Sequence, residues 1–158
     1  MGAAVNRYEL IQADEKVVVA LSGGKDSLVL LDTLVSRISH LPVSYELWAV
    51  HVTVENFPVR ADVDYLREFC FERKVPLHLR SISVDRDGDE GKSPCFICSR
   101  HRRKTLFDTV KELGCKRLAL GHHMDDILET LLLSMTMNGR ISAMPVRLSM
   151  FNGEFDII

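Results

Sequence analysis

Apolar and polar residues alternate along this chain with two different periods. Lys16–Leu21 (KVVVAL) is an unbroken, β-branched run, the pattern of a parallel strand buried on both faces. After SGGKDS, residues Leu28, Leu31, Leu34, Val35 and Ile38 recur at helical spacing. Glu46–Val52 (ELWAVHV) predicts a second strand. Ala61–Arg73 predicts a helix with Val63, Leu66, Phe69 and Cys70 on one face. Leu77–Val84 sets Leu77, Leu79, Ile82 and Val84 among polar residues, which predicts a third strand nearer a sheet edge. Asp85–Ser93 (DRDGDEGKS) is polar and glycine-containing and is expected to be mobile. A helix from about Pro94 to Leu113 closes on Gly114, in the C-terminal capping position. A strand at Lys116–Gly121 follows, then a helix at Asp125–Met137 ended by Asn138-Gly139, then a strand beginning at Phe155–Ile158.

Strands alternating with helices predict an α/β fold: a doubly wound parallel sheet, right-handed crossovers and helices on both faces. Ligands on such sheets sit at the carboxyl ends of the strands, here just after Leu21, Val50, Val84 and Leu120. With no internal repeat and no linker, residues 1–158 read as a single domain. The sequence stops within the last apparent strand, at Asp156-Ile157-Ile158, so a C-terminal continuation is expected.

Composition narrows the setting. The 158 residues are 46% hydrophobic and 27% charged, as in ordinary globular domains. The net charge of −2 supplies no global attraction to nucleic acid, so any such contact must come from a local patch. The N-terminus MGAAVNRYELIQADEK is too polar for a signal peptide, and no run approaches the roughly 20 apolar residues of a membrane span. Four cysteines without a secretory signal point to a reducing compartment; a cytoplasmic location and no membrane partner are expected.

Ser22-Gly23-Gly24-Lys25-Asp26-Ser27 lies between the first strand and the first amphipathic helix. Two glycines permit positive φ and close approach to a ligand, and the helix start offers N–H groups and a positive dipole to a phosphate. Ser22 and Ser27 add hydroxyls, Lys25 a charge, and Asp26 a handle for Mg²⁺. The pattern is not G-x-x-x-x-G-K-[ST]. The competing reading is a strand–helix turn that merely needs glycine. At the end of the fourth predicted strand, Gly121-His122-His123-Met124-Asp125-Asp126 opens a helix that continues through Glu129-Thr130. Adjacent carboxylates there repel unless a cation or donors compensate, and Mg²⁺ carried by ATP suits them. The alternative is capping, with Asp125 or Asp126 as N-cap and Glu129 in the first turns. His51 closes the second strand, near where ligands of such sheets sit, with simple packing as the rival reading.

Cys95-Phe96-Ile97-Cys98 starts the third predicted helix. The spacing puts both sulfurs on one face, near a helix N-terminus that favours thiolate. Three readings stay open: a half-site for a metal or cluster, a redox dithiol, or incidental core cysteines. Cys70 and Cys115, in apolar company, read as buried. Arg100, His101, Arg102, Arg103 and Lys104 follow in a row, either a solvated cationic face or a surface for a nucleic-acid backbone.

SGGKDS resembles the PP-loop of the N-type ATP pyrophosphatases, which hold departing pyrophosphate while the α-phosphate is attacked. PP-loop, then P-C-x-x-C-S-R-x-R-R, then GHHxDDxxET, in that order, resembles the tRNA 2-thiocytidine synthetase (TtcA) family, and Asn138-Gly139-Arg140 to Met144-Pro145 adds to the likeness. The resemblance covers the chain from about Val17 onward. It implies ATP-dependent adenylation of cytidine O2 in tRNA, followed by sulfur transfer. It implies ATP on Ser22, Gly23, Gly24, Lys25, Asp26, Ser27, His51, Gly121, His122 and Asp126, and Mg²⁺ near Asp26 and Asp125. Lys25, Asp26, Asp125, Cys95 and Cys98 would be catalytic, and Arg100, Arg102, Arg103 and Lys104 would contact RNA. The cysteine pair would hold an iron–sulfur cluster, or zinc, with a third cysteine beyond Ile158; a sulfur donor such as a cysteine desulfurase and a homodimer are further implications. The chain departs from the pattern in lacking that third cysteine and at Thr53–Pro58. Alternatives are a 2-thiouridine or lysidine-type tRNA enzyme, or a non-catalytic nucleotide- or metal-binding module.

Overall fold

The structure, a computed structural model, describes residues 2–38, 44–56, 61–84, 91 and 93–158. Among the described residues five α-helices, α1 (Gly2–Arg7), α2 (Lys25–Ile38), α3 (Val63–Glu72), α4 (Pro94–Glu112) and α5 (Met124–Asn138), are interleaved with strands β1 (Lys16–Ala20), β2 (Glu46–Val54), β3 (Leu77–Ile82), β4 (Arg117–Ala119), β5 (Leu148–Met150) and β6 (Phe155–Ile157), the last two joined by a 3-10 turn at Phe151–Gly153. The strands form one sheet in the order β3-β2-β1-β4-β6-β5. Neighbours run parallel except β5, which lies antiparallel to β6.

Side chains that alternate along a strand point to opposite faces, and both faces of β1 are covered. Val17, Val19 and Leu21 pack with Leu31 and Leu34 of α2 and with Leu66 and Cys70 of α3. Val18 packs on the other side with Phe107 and Val110 of α4 and with Leu118 and Phe155. This is why Val17–Leu21 carries no polar position: after Lys16, every residue has an apolar layer to meet. β3 is an edge strand, as its polar admixture predicts, and pairs only with β2.

The structure departs from the sequence reading at two short elements. α1 buries Val5 and is too brief to show a period. β5 spans three residues, and its pairing with β6 makes the sheet mixed at that edge rather than wholly parallel. The segment expected to be mobile, 85–93, falls largely outside the described residues. α5 matches its expected span but has no buried residue; Met124, Leu128, Leu132, Leu133, Met135 and Met137 are exposed. No helix among the described residues is long and apolar enough to cross a membrane.

At the amino ends of the strands lies a buried ionic cluster. Arg117 of β4 donates to Glu15 through Nε (2.9 Å) and through a terminal nitrogen (2.8 Å), and also to Asp156 of β6. Arg147 donates to the same Asp156 oxygen at 2.9 Å through Nε. The cluster joins the entry to β1, the middle of the sheet and the β5–β6 edge. Removing one member of a buried ion group leaves its partners charged and uncompensated, at a cost of about 3–5 kcal/mol. Arg117→Leu is therefore expected to lower the urea unfolding free energy by about that much, whereas Arg67→Ala, which breaks the exposed Arg67–Asp64 pair, costs less than about 1 kcal/mol.

Candidate active site at the carboxyl edge of the sheet

The strand order places β1 beside both β2 and β4, and the chain leaves β1 toward β2 before returning to β4 on the other side. The crevice above β1 and β4 is thus the point where strand order reverses, the usual location of ligands in open α/β sheets. The loop Ser22–Ser27 occupies it.

The N–H of Leu21 still donates to the Val50 carbonyl (2.9 Å), the last rung before the chain leaves the sheet. Gly23 then adopts φ +87°, and a Cβ there would lie 2.5 Å from Cβ of Ala61, so only glycine fits between the loop and the approach to α3. The two serines hold the loop together. Ser27, buried, donates its hydroxyl to the Gly24 carbonyl (2.8 Å) and accepts from the Ser22 N–H (3.2 Å). Ser22 Oγ lies 3.1 Å from Ser27 Oγ and accepts from the Gly24 N–H (3.2 Å). The Ser27 proton is thereby committed to the loop itself. Lys25 and Asp26 stand exposed at the start of α2, where first-turn N–H groups lack intrahelical partners.

Gly121 brings the second motif to the first. A Cβ on it would sit 2.9 Å from the Ser27 nitrogen and 3.0 Å from the Asp26 carbonyl carbon, so the end of β4 touches the backbone at the start of α2. His123, rather than Asp125 or Asp126, is the N-cap of α5. Asp126 accepts the His123 backbone N–H at 2.7 Å, so the capping reading holds for this carboxylate as the third residue of the helix. The His123 ring nitrogen Nδ1 lies 3.5 Å from Asp126 and 3.8 Å from Asp125. Asp125 and His122 are exposed.

His51 is buried, 3% exposed, with Nδ1 2.7 Å from the Leu21 carbonyl oxygen. A carbonyl only accepts, so Nδ1 carries the proton. Burial holds the His51 pKa below the usual histidine value; the carbonyl bond opposes this, and the charge of Arg102 on α4 reinforces it.

The cysteines divide in two. Cys95 is exposed and Cys98 half-buried in the first turns of α4, whose N-cap Ser93 accepts from the Phe96 N–H (3.3 Å). Cys98 leans on the small cluster of Val54, Val84 and Ile97. Cys70 and Cys115 are buried in the two core layers, and burial pushes both thiols up to about 11. Among the described residues, no group of three or more histidine, cysteine or acidic side chains converges as a metal site. Arg100, Arg103 and Lys104 are exposed and Arg102 is half-buried; Lys104 pairs with Asp108 (3.4 Å). Sequence reasoning missed Asn56. Its amide donates to the Val84 carbonyl (2.7 Å) and its oxygen accepts the Val84 N–H (3.1 Å), pinning the exit of β3 that leads toward the cysteine pair. Only its place just past β2 hinted at this.

A mostly parallel sheet whose first strand runs into a glycine-bearing loop at the switch point defines an α/β domain of the nucleotide-binding kind. More particularly, the PP-loop domain model matches residues 3–154, and the chain belongs to that family. It is 42% identical over 160 residues to the tRNA-cytidine(32) 2-sulfurtransferase of Neisseria meningitidis serogroup C, covering 100% of this chain and 50% of the relative. It is 41% identical over 159 residues to the protein of the same name from Vibrio cholerae serotype O1, covering 99% of this chain and 51% of the relative. The chain spans about half the length of the curated relatives it matches. Among solved structures it resembles the U34-tRNA thiolase NcsA from Methanococcus maripaludis with its [4Fe-4S] cluster, at TM-score 0.67 and 27% identity over 84% of this chain and 46% of that one.

Two outcomes follow from this geometry. Gly121→Ala forces a methyl group against helix backbone and is expected to destabilise the fold by about 1–3 kcal/mol, measured by chemical denaturation. A histidine whose pKa is lower folded than unfolded contributes stability above its unfolded pKa, about 6.5, and loses it as pH falls through the folded value. The unfolding free energy is expected to fall with pH below about 6.5, and His51→Asn to flatten that fall.

Proposed function

We propose that the chain is the ATP-binding domain of a tRNA-cytidine 2-sulfurtransferase, spanning residues 1–158 and continued by further C-terminal sequence. The observation that carries this reading is the contact of Gly121 with the Asp26–Ser27 backbone, which sets the exposed Lys25, Asp26 and Asp125 at one edge of the sheet. The 42% identity to tRNA-cytidine(32) 2-sulfurtransferases along the whole chain supports the substrate.

In this reading the β- and γ-phosphates of ATP lie on Gly23, Gly24, Lys25 and the start of α2, with Ser22 and Ser27 shaping the loop. Asp26 and Asp125 are exposed oxygen donors at two adjoining helix starts and fit Mg²⁺, which when bound would neutralise phosphate charge. Gly121, His122 and Asp126 border the nucleotide, while His51 is buried beneath the loop against the Leu21 carbonyl. The cytidine O2 attacks the α-phosphorus, forming an O–P bond and expelling pyrophosphate. Lys25 stabilises the charge spread over the transferring phosphate. Hydrosulfide, released from the persulfide of a donor such as a cysteine desulfurase by two equivalents of a thiol reductant that leave as a disulfide, then attacks C2; the C2–S bond forms, the C2–O bond breaks, AMP departs with the oxygen, and the hydrosulfide proton passes to solvent.

Cys95 and Cys98 are accessible enough, at a helix start, to serve as thiolate ligands. They supply two ligands where an iron–sulfur cluster takes three or four, so among the described residues the set is incomplete. A bound cluster would supply an iron site for sulfide. Arg100, Arg102, Arg103 and Lys104, on the same helix, would steer the tRNA backbone toward this edge. Cytoplasmic placement and a homodimer complete the proposal.

The test is mass spectrometry of tRNA nucleosides from cells that carry the gene, lack it, or carry Asp125→Ala. The expected result is loss of 2-thiocytidine in the deletion and at least a tenfold decrease in the variant. Loss of 2-thiouridine instead would transfer the same ATP chemistry to the substrate named for the NcsA thiolase. An unchanged profile would leave a nucleotide-binding module without this activity.

A further inference from the structure

We propose that His51 is a positioning residue that fixes the take-off point of the phosphate loop by donating its Nδ1–H to the Leu21 carbonyl, rather than a side chain that contacts the nucleotide. The inference rests on the reading that this loop binds ATP.

The geometry is specific. Leu21 is buried immediately after β1, and its N–H is held by the Val50 carbonyl. One residue further along β2, the sheet ladder no longer serves the Leu21 carbonyl; the His51 ring does, at 2.7 Å. Both polar groups of the Leu21 backbone are thus tied to β2, one by a main-chain rung and the other by a side chain. The next residue, Ser22, begins the internal hydrogen bonds of the loop. The ring therefore stands at the joint between a strand and a loop whose side-chain hydrogen bonds come from its own serines. Both Leu21 and His51 are nearly inaccessible to water, so no solvent donor replaces the imidazole if it is removed. A shift of the Leu21 carbonyl would propagate directly into Gly23, which has no room against Ala61.

The role belongs to one ring nitrogen, and that makes it separable. An asparagine amide nitrogen occupies nearly the position of histidine Nδ1, whereas a glutamine amide reaches the position of Nε2. His51→Asn keeps the donor to Leu21 and removes everything beyond it. His51→Gln keeps a polar group at the far side of the ring and loses the tether. ATP affinity would be measured by calorimetry for the wild type, both variants and His51→Leu, with thermal melting to register folding.

The expected result is a Kd for His51→Asn within about threefold of wild type. His51→Gln and His51→Leu should be weakened at least tenfold, while remaining folded at the assay temperature. The ordering should hold at pH 6.5 and pH 8, because an amide does not titrate. If His51→Gln retains affinity and His51→Asn loses it, the far ring nitrogen contacts the ligand and the proposal is overturned. Equal weakening in all three, or none in His51→Leu, overturns it too. Should the wild-type chain itself fail to bind ATP, the functional reading fails first, and the melting temperatures then test the tether alone: His51→Asn must melt above both His51→Gln and His51→Leu.

Discussion

The close approach of two backbones at Gly121 is the constraint on which the rest of the site depends. β4 sits in register beside β1, Val19 opposite Ala119, so the chain segments that leave the two strands emerge side by side. Without a side chain at 121, the turn into α5 settles directly on the first residues of α2. Lys25 and Asp26 are carried by one helix start and Asp125 by the other. Both helix starts are brought together by this main-chain approach, with the Ser22, Ser27 and Asp126 side chains fixing the turns that lead into them.

Around that joint, polar groups are divided between holding the loop and remaining open. Ser22, Ser27 and Asp126 spend hydrogen bonds on the loop and the α5 cap, whereas Lys25, Asp26, Asp125 and His122 stay exposed. His51 belongs with the first set by its geometry. This division is economical for phosphate chemistry. The scaffold that sets N–H directions is already satisfied before a ligand arrives, so it need not reorganise during reaction.

The thiols show the same separation through burial. Cys70 and Cys115 lie in the two apolar layers, where desolvation keeps them protonated, while Cys95 and Cys98 sit at the start of α4 with one sulfur open to solvent. The opposite end of the sheet carries the Arg117 cluster, which ties the entry to β1 to β4 and β6, away from the proposed ATP edge. The ionic cluster and the proposed phosphate site thus occupy opposite ends of the same strands.

By itself the amino-acid sequence determined the alternation of strands and helices, the edge position of β3, the loop at Ser22–Ser27 and the burial of Cys70 and Cys115. These depend on local period, on glycine and on apolar company, all of which a linear string contains. The α1 and β5 elements escaped because six residues hold fewer than two helical turns and three residues fewer than two strand periods; β5 exists through its pairing with β6. Residue preference favours an aspartate as the cap of α5, whereas in the fold His123 is the N-cap and Asp126 accepts its backbone N–H. Only the tertiary structure decided that Asn56 holds Val84, that Arg117 is neutralised by residues 102 and 39 positions away, and that His51 reaches Leu21. Those are contacts between distant segments, and their partners are chosen by the strand order of the sheet.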